Sequence, residues 1–159
     1  MCFDRDARPP LPPVAGAAAE QGDLVLTAAD GNRLAAYAAR AADPTGAGIV
    51  IMPDVRGLHA FYKELAQRFA EAGVDAVAID YFGRTAGTGP RGHDFDYPNH
   101  VRQTTVEGVT AAGLPHDLHV YEGAPHSFFD RTFQQHADAS ADAWRRMLDF
   151  IARHTPARV

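Results

Sequence analysis

The sequence predicts an α/β protein with three layers, a mostly parallel sheet and an antiparallel hairpin at the N-terminal side. Two short apolar runs, at 48–52 and 74–81, enclose a helical segment from Ala60 to Ala72. A strand, a helix and a strand at this spacing form a right-handed crossover, which makes the two strands parallel. The run at 48–52 is apolar throughout, as is typical of a strand covered on both faces, and the run at 74–81 fits a second buried strand.

The domain is preceded by a segment rich in proline and alanine. We expect residues 1–22 to form a tail, because such a segment favours extended chain, and residues 23–159 to form a single domain. The runs at 23–27 and 34–38 flank Asp30-Gly31, a pair typical of tight hairpin turns. Two antiparallel strands are therefore predicted, with structure starting at Asp23.

The crossover helix is predicted from its apolar spacing. Phe61, Leu65 and Phe69 recur every four residues, so they lie on one face, and Gly73 supplies a stop. The apolar runs on either side of this helix fit strands of the same sheet.

The second half of the chain is predicted to hold a loop at 83–98, a helix at 99–113, a strand at 118–121 and a closing helix at 134–154. The closing helix has an apolar face that is expected to pack inward, made of Ala137, Ala141, Trp144, Leu148 and Ile151. Three arginines are expected to face water: Arg145, Arg146 and Arg153.

Composition excludes several classes of function. The chain has 15 Lys and Arg against 20 Asp and Glu, a net charge of −5, and no basic stripe, so a nucleic-acid partner is not expected. No run approaches the length of a membrane-spanning helix, so no membrane partner is expected. The single cysteine, Cys2, precludes an internal disulfide and fits a reducing cytoplasm.

Polar residues are concentrated where the predicted strands end. In an open α/β sheet, ligands bind beyond the carboxyl ends of the strands. Segments 53–58, 81–84 and 122–131 leave such ends and contain Asp54, arginines and His126. A histidine there can act as a general base, and arginines can hold an anionic substrate.

These segments also resemble a known family. The start Met1-Cys2-Phe3-Asp4, the loop Pro53-Asp54-Val55-Arg56-Gly57-Leu58, the strand end Asp80-Tyr81-Phe82-Gly83-Arg84 and the loop Gly123-Ala124-Pro125-His126-Ser127-Phe128 are similar to the dienelactone hydrolase family, a branch of the α/β-hydrolases. The resemblance implies a truncated α/β-hydrolase fold and hydrolysis of a small, anionic ester or lactone, and it implies no cofactor.

The resemblance also implies roles for individual residues. His126 corresponds to the catalytic base, and Asp54 to the acidic residue that pairs with the resting thiol nucleophile. Arg84 corresponds to the arginine that holds the substrate carboxylate. Arg131 is the nearest candidate for a second such arginine and lies one position later than the usual spacing.

The sequence departs from the family at the nucleophile. It contains neither Gly-x-Cys-x-Gly nor Gly-x-Ser-x-Gly, and its only cysteine and serines are Cys2, Ser127 and Ser140. No counterpart of the family's triad aspartate follows, as though a block had been removed between Val109 and Ala111. We therefore expect an internally deleted chain with impaired or absent catalysis.

Two other functions remain open from the sequence. One is a non-catalytic remnant that binds a small carboxylate through Arg84. The other is a metal-binding module that uses the dense cluster His93, Asp94, Asp96 and His100, although solvated loop residues explain these side chains better. We assign no metal ligand.

Overall fold

Among the residues that the structure describes, four strands form one mixed sheet: β1 (Ala18–Thr27), β2 (Arg33–Ala41), β3 (Gly48–Ile51) and β4 (Asp75–Ile79). Their order across the sheet is β1-β2-β4-β3. The structure is a computed structural model that describes residues 7–11, 13–14, 18–103, 119–125, 128–129 and 132–155. Within these residues, the strands are accompanied by four helices, which confirms the α/β class.

The N-terminal hairpin joins β1, Ala18–Thr27, to β2, Arg33–Ala41, with antiparallel pairing. Gly31 adopts a φ of 83°, and the backbone N–H of Asn32 donates to Asp30 Oδ1 over 3.1 Å. The predicted Asp-Gly turn is therefore confirmed. β1 begins at Ala18, before the predicted start at Asp23, because its pairing with β2 extends as far as Ala41.

The predicted crossover is also confirmed. β3, Gly48–Ile51, leads through α1, Ala60–Glu71, to β4, Asp75–Ile79, and the two strands pair in parallel. Gly73 follows α1 with a φ of 86°, which suits a residue without a side chain at a helix end.

The sheet as a whole is less parallel than the sequence indicates. Of its three strand pairs, only β3 with β4 is parallel, whereas β2 is antiparallel to both of its neighbours. The described strands do not confirm a mostly parallel sheet, because the hairpin strand β2 joins β4 directly. A three-layer arrangement is not confirmed either.

The core lies between α1 and the sheet. Phe69, Ala66 and Ala70 are almost fully buried and belong to the same apolar cluster as Ala76 and Ala78 of β4. Burial of apolar side chains on both elements is the main contribution that stabilises the packing of the crossover helix on the sheet.

The closing helix α4, Ala137–His154, adds a second contact to this core. The Trp144 ring lies 4.5 Å from the Phe69 ring, centroid to centroid, and the four inward residues are Trp144, Met147, Leu148 and Ile151. The predicted outward arginines are exposed, but Ala137 and Ala141 are exposed as well, so that part of the predicted apolar face is wrong. The packed face begins only at Trp144.

The segment between β4 and α4 carries two short helices, α2 at Gly83–Ala86 and α3 at Tyr97–Gln103. α3 overlaps the start of the predicted helix at 99–113, and the remainder of that helix lies outside the described residues. Residues 119–121 are not in a strand, so the described part of the predicted strand at 118–121 is wrong. The Tyr121 hydroxyl instead donates to Asp142 of α4 over 2.9 Å.

The N-terminal segment lies partly against α1. Ala7 is only 8% exposed and joins the core cluster, and the backbone N–H of Val14 donates to Glu71 over 3.1 Å. Among the described residues, no helix combines the length and the apolar character needed to cross a membrane.

Candidate functional site

Two acidic residues stand where the parallel strands end. Asp54 follows β3 by a few residues, and Asp80 follows β4 directly. Because β3 and β4 run in parallel, their carboxyl ends lie at the same edge of the sheet, which is where ligands bind in open α/β sheets. The sequence predicted this position for Asp54.

Two tyrosines fix the backbone of Asp54. Its N–H donates to the Tyr62 hydroxyl over 2.8 Å, and its carbonyl accepts from the Tyr81 hydroxyl over 2.7 Å. Tyr62 belongs to α1 and Tyr81 follows β4, so two separate elements hold the Asp54 loop in place.

The Asp54 carboxylate lies beside Arg56 and His59. Oδ1 accepts from the Arg56 backbone N–H over 3.0 Å, Oδ2 accepts from Arg56 Nη2 over 3.4 Å, and His59 Nε2 lies 3.8 Å from Oδ1. Burial alone would raise the pKa of Asp54, but His59 and Arg56 outweigh it and lower the pKa below its ordinary value. Asp54 is therefore a stable anion at neutral pH.

The pKa of Tyr81 is shifted in the opposite direction to that of Asp54. Burial, followed by the neighbouring charges of Asp54 and Asp80, raises the pKa of Tyr81 to about 12. The phenol therefore stays protonated and keeps donating to the Asp54 carbonyl over the whole neutral range.

Asp80 forms a buried ion pair that sequence reasoning missed. Its carboxylate accepts from the backbone N–H of Leu58 over 3.1 Å and of Phe82 over 2.8 Å, and from Arg91 Nε over 2.8 Å. The side chains of Asp80 and Arg91 are only 1% and 4% exposed. One carboxylate thus joins the Asp54 loop, the end of β4 and the segment around Arg91.

A signal for this ion pair was present in the sequence. Asp80 ends an apolar run that was expected to be buried, and a buried carboxylate needs a cationic partner. Arg91 lies in the stretch at 83–98 that the sequence assigned only to a loop, and loop residues give no periodic pattern from which a partner could be chosen. His59 and Tyr62 were likewise not singled out, and Arg56 and Tyr81 appeared only as members of the strand-end segments.

A cavity of about 150 Å³ opens beside this network. Its polar and aromatic lining consists of Arg56, His59, Arg91, His93, Phe95 and Tyr97. No carboxylate is among the described residues that line it. A second hollow, of about 300 Å³, lies between β1 and the segment at 88–90 and includes the buried Asp80 in its lining.

Arg84 lies elsewhere on the surface. Its guanidinium pairs with Asp30 in the hairpin turn, and its side chain is 63% exposed. Among the described residues, Arg84 lines neither hollow and makes no hydrogen bond or ion pair with Asp54. His126 and Arg131 lie outside the described residues, so their predicted roles remain predictions.

The structure also describes Ser140 and the possible metal cluster at 93–100. Ser140 is buried within α4, and its hydroxyl donates to the Phe128 carbonyl over 3.4 Å. Within the part of the chain that the structure describes, no three His, Cys, Asp or Glu side chains converge as a metal site, and this part includes the whole of 93–100. The metal-binding alternative therefore has no ligand set there.

Comparison with known proteins relates this site to a family. The model of the dienelactone hydrolase family matches the chain in two segments, residues 34–94 and 91–155. A search of curated proteins gives no match. The two segments contain Asp54, Asp80 and the cavity and together span well over half of the chain. The chain therefore belongs to the dienelactone hydrolase family.

Proposed function

We propose that this chain is a hydrolase-type protein of its family that has lost covalent catalysis. The family suggests hydrolase chemistry. We propose carboxylic esters or lactones that carry a negative charge as the class of molecule that it recognises. The site of action is the cytoplasm, where the single cysteine stays reduced.

One observation carries the proposal: the sequence has no Gly-x-Cys-x-Gly and no Gly-x-Ser-x-Gly. Such a motif places the nucleophile on a sharp turn between a strand and a helix. Ser140, by contrast, is buried in α4 with its hydroxyl directed to a carbonyl, which supports the absence of an activated serine among the described residues.

The physical consequence is larger than that of a point mutation. This sharp turn, the nucleophile elbow, supplies both the attacking atom and one N–H of the oxyanion hole. Its loss therefore removes covalent attack together with stabilisation of the developing charge. Loss of a single catalytic group leaves a residual rate from binding and from the oxyanion hole. A chain without the elbow retains less of the rate that comes from binding and less of the rate that comes from the oxyanion hole.

Asp54 has a different role in such a chain. In the family it would face a thiol, but here its carboxylate is engaged by Arg56 and His59. Asp54 then serves to fix the loop beside the cavity rather than to control a nucleophile.

The test is turnover of phenyl acetate and of a carboxylate-bearing unsaturated lactone by the whole chain, beside two variants. His126→Ala removes the family's base, and His154→Ala removes an exposed histidine of α4 as the matched control. We expect all three proteins to give the same rate as buffer. Turnover that disappears in His126→Ala and survives in His154→Ala would show that covalent catalysis persists.

A further inference from the structure

β3 forms one edge of the sheet that the structure describes, with β4 as its neighbour. The backbone N–H of Asp75 donates to the Ala47 carbonyl over 3.1 Å, so Ala47 directs its carbonyl towards β4. Successive residues of a strand direct their backbone groups to opposite sides. Gly48 and Val50 therefore direct N–H and C=O outwards, where the described residues supply no strand.

The outer edge of β3 also carries exposed apolar side chains. Ile51 is buried in the core with α1, whereas Val50 is 63% exposed and Met52 is 55% exposed. The apolar run at 48–52 is typical of a strand covered on both faces, but the face that carries Val50 is left open by the described residues. Outward backbone groups beside exposed apolar side chains form a template on which another strand can pair.

Charge distinguishes this edge from the opposite one. β1, at the other edge of the described sheet, carries Glu20 and Asp23, and charged side chains on an edge strand oppose pairing with a further strand. Two copies of β1 would also bring like charges together in a chain whose net charge is −5. By contrast, no charged residue occurs at 47–53. β3 is therefore the edge that can pair with its own copy.

We propose that two copies of this chain associate through β3, with the two strands antiparallel about a two-fold axis at Val50. A two-fold interface requires the same surface on both copies, and an antiparallel pair meets this requirement because each Val50 donates to and accepts from the other. In this register, Gly48 of each copy lies opposite Met52 of the other. The two sheets then become one continuous sheet.

The proposed interface is small, and its strength follows from its size. β3 has four residues, and a contact of that length buries less than about 1,200 Å², which is typical of weak, reversible association. The pairing involves no reaction, so it is independent of whether the chain hydrolyses esters.

The first test is sedimentation equilibrium of the whole chain, where we expect a reversible monomer–dimer equilibrium within roughly 5–500 µM. Val50→Lys places two ammonium groups opposite each other at the axis and should weaken the dimer by at least about fivefold. Val25→Lys, at an exposed position of β1, adds the same charge and is the matched control, which leaves the dimer affinity unchanged. Circular dichroism checks that both variants are folded.

A second test does not depend on the folding of Val50→Lys. Residues that exchange both hydrogen bonds across an antiparallel pair have Cα atoms about 5.5 Å apart, which suits a disulfide. In a Cys2→Ser background, Val50→Cys treated with diamide should give a disulfide-linked dimer on a non-reducing gel, as two thiols lose two electrons and two protons to the diamide. Val25→Cys in the same background is the control and should stay monomeric.

Four results would overturn the proposal. They are a chain that is monomeric over the whole concentration range, oligomers larger than a dimer, an unchanged dimer affinity in folded Val50→Lys, and cross-linking of Val25→Cys as efficient as that of Val50→Cys.

Discussion

A methyl group at Gly57 would lie 2.9 Å from Asp80 Oδ2 and 3.1 Å from the Phe82 ring, and φ at this position is +75°. Two separate restrictions thus apply at one residue. The positive φ disfavours any L side chain, and the contact with Asp80 would push on the carboxylate that holds Leu58 and Arg91. The loop beside Asp54 therefore needs glycine here.

Gly57→Ala is expected to destabilise the fold by about 2 kcal/mol, mainly through the left-handed backbone conformation. The measurement is the urea midpoint, followed by circular dichroism. Gly22→Ala is the matched control, since a Cβ there meets nothing within 4 Å. Equal midpoints for the two variants would contradict the crowding described at Gly57.

Tyr81 gives a prediction about pH. Its pKa is raised to about 12 in the folded chain, whereas a free tyrosine titrates near 10. The folded state therefore holds this proton more tightly, and the stabilisation it provides is present below pH 10 and is lost as pH rises towards 12. Tyr81→Phe should lack this alkaline loss of stability.

The direct measurement is phenolate absorbance, recorded as a pH titration of the native chain and of Tyr81→Phe. The signal that the variant lacks should appear near pH 12, because burial is the largest cause of the shift. The same titration in concentrated urea should place that signal near 10. A difference signal near pH 10 in the folded protein would refute the assignment.

At the scale of elements, local patterns predicted the crossover well. The four-residue spacing of Phe61, Leu65 and Phe69 lies entirely within α1, and Gly73 ends it as expected. Apolar periodicity reports which face is buried without reference to distant residues. This is why β3, α1 and β4 were found from the sequence.

Pairing between distant segments was predicted less well. The apolar pattern at 118–121 favours a strand, but a strand also needs a neighbour that satisfies its backbone groups. The described residues 119–121 instead lie next to α4, where His119 Nε2 is 3.9 Å from Asp142. A local apolar pattern does not predict whether a neighbouring strand is available for pairing.

The contact between α4 and α1 supplies a prediction for these helices. Trp144→Ala removes the ring that lies 4.5 Å from Phe69 and should cost about 2 kcal/mol, less than for a fully buried tryptophan because Trp144 is only partly buried. Urea unfolding monitored by circular dichroism measures this loss. Ala152→Ser, at an exposed position of α4, is the control and should leave the midpoint in place. Equal midpoints would mean that α4 contributes nothing through Trp144.

For the whole molecule, the sequence located the edge of the sheet where the site lies but not the interactions that build it. Asp54 was predicted because it follows an apolar strand. Loops at the carboxyl ends of strands line the ligand site in open α/β folds. The pairing of Asp80 with Arg91 was not predicted, since it joins a strand end to an irregular loop. The pairing of Arg84 with Asp30 was not predicted either, since the hairpin turn brings Asp30 to it; the substrate-binding role that the resemblance implies for Arg84 stays a prediction.

The network beside Asp54 also has a consequence for the order in which parts of the chain fold during synthesis. The described side-chain contacts of Asp54 and Asp80 join residues between 54 and 91, and the cavity lining ends at Tyr97. α4 begins about 40 residues later. At about 5–20 residues per second, the ribosome needs seconds to add that length. Closure of a short loop takes far less than a millisecond. The chain's candidate binding site and the four strands that the structure describes therefore have time to assemble during synthesis, before the helix that packs on α1 exists.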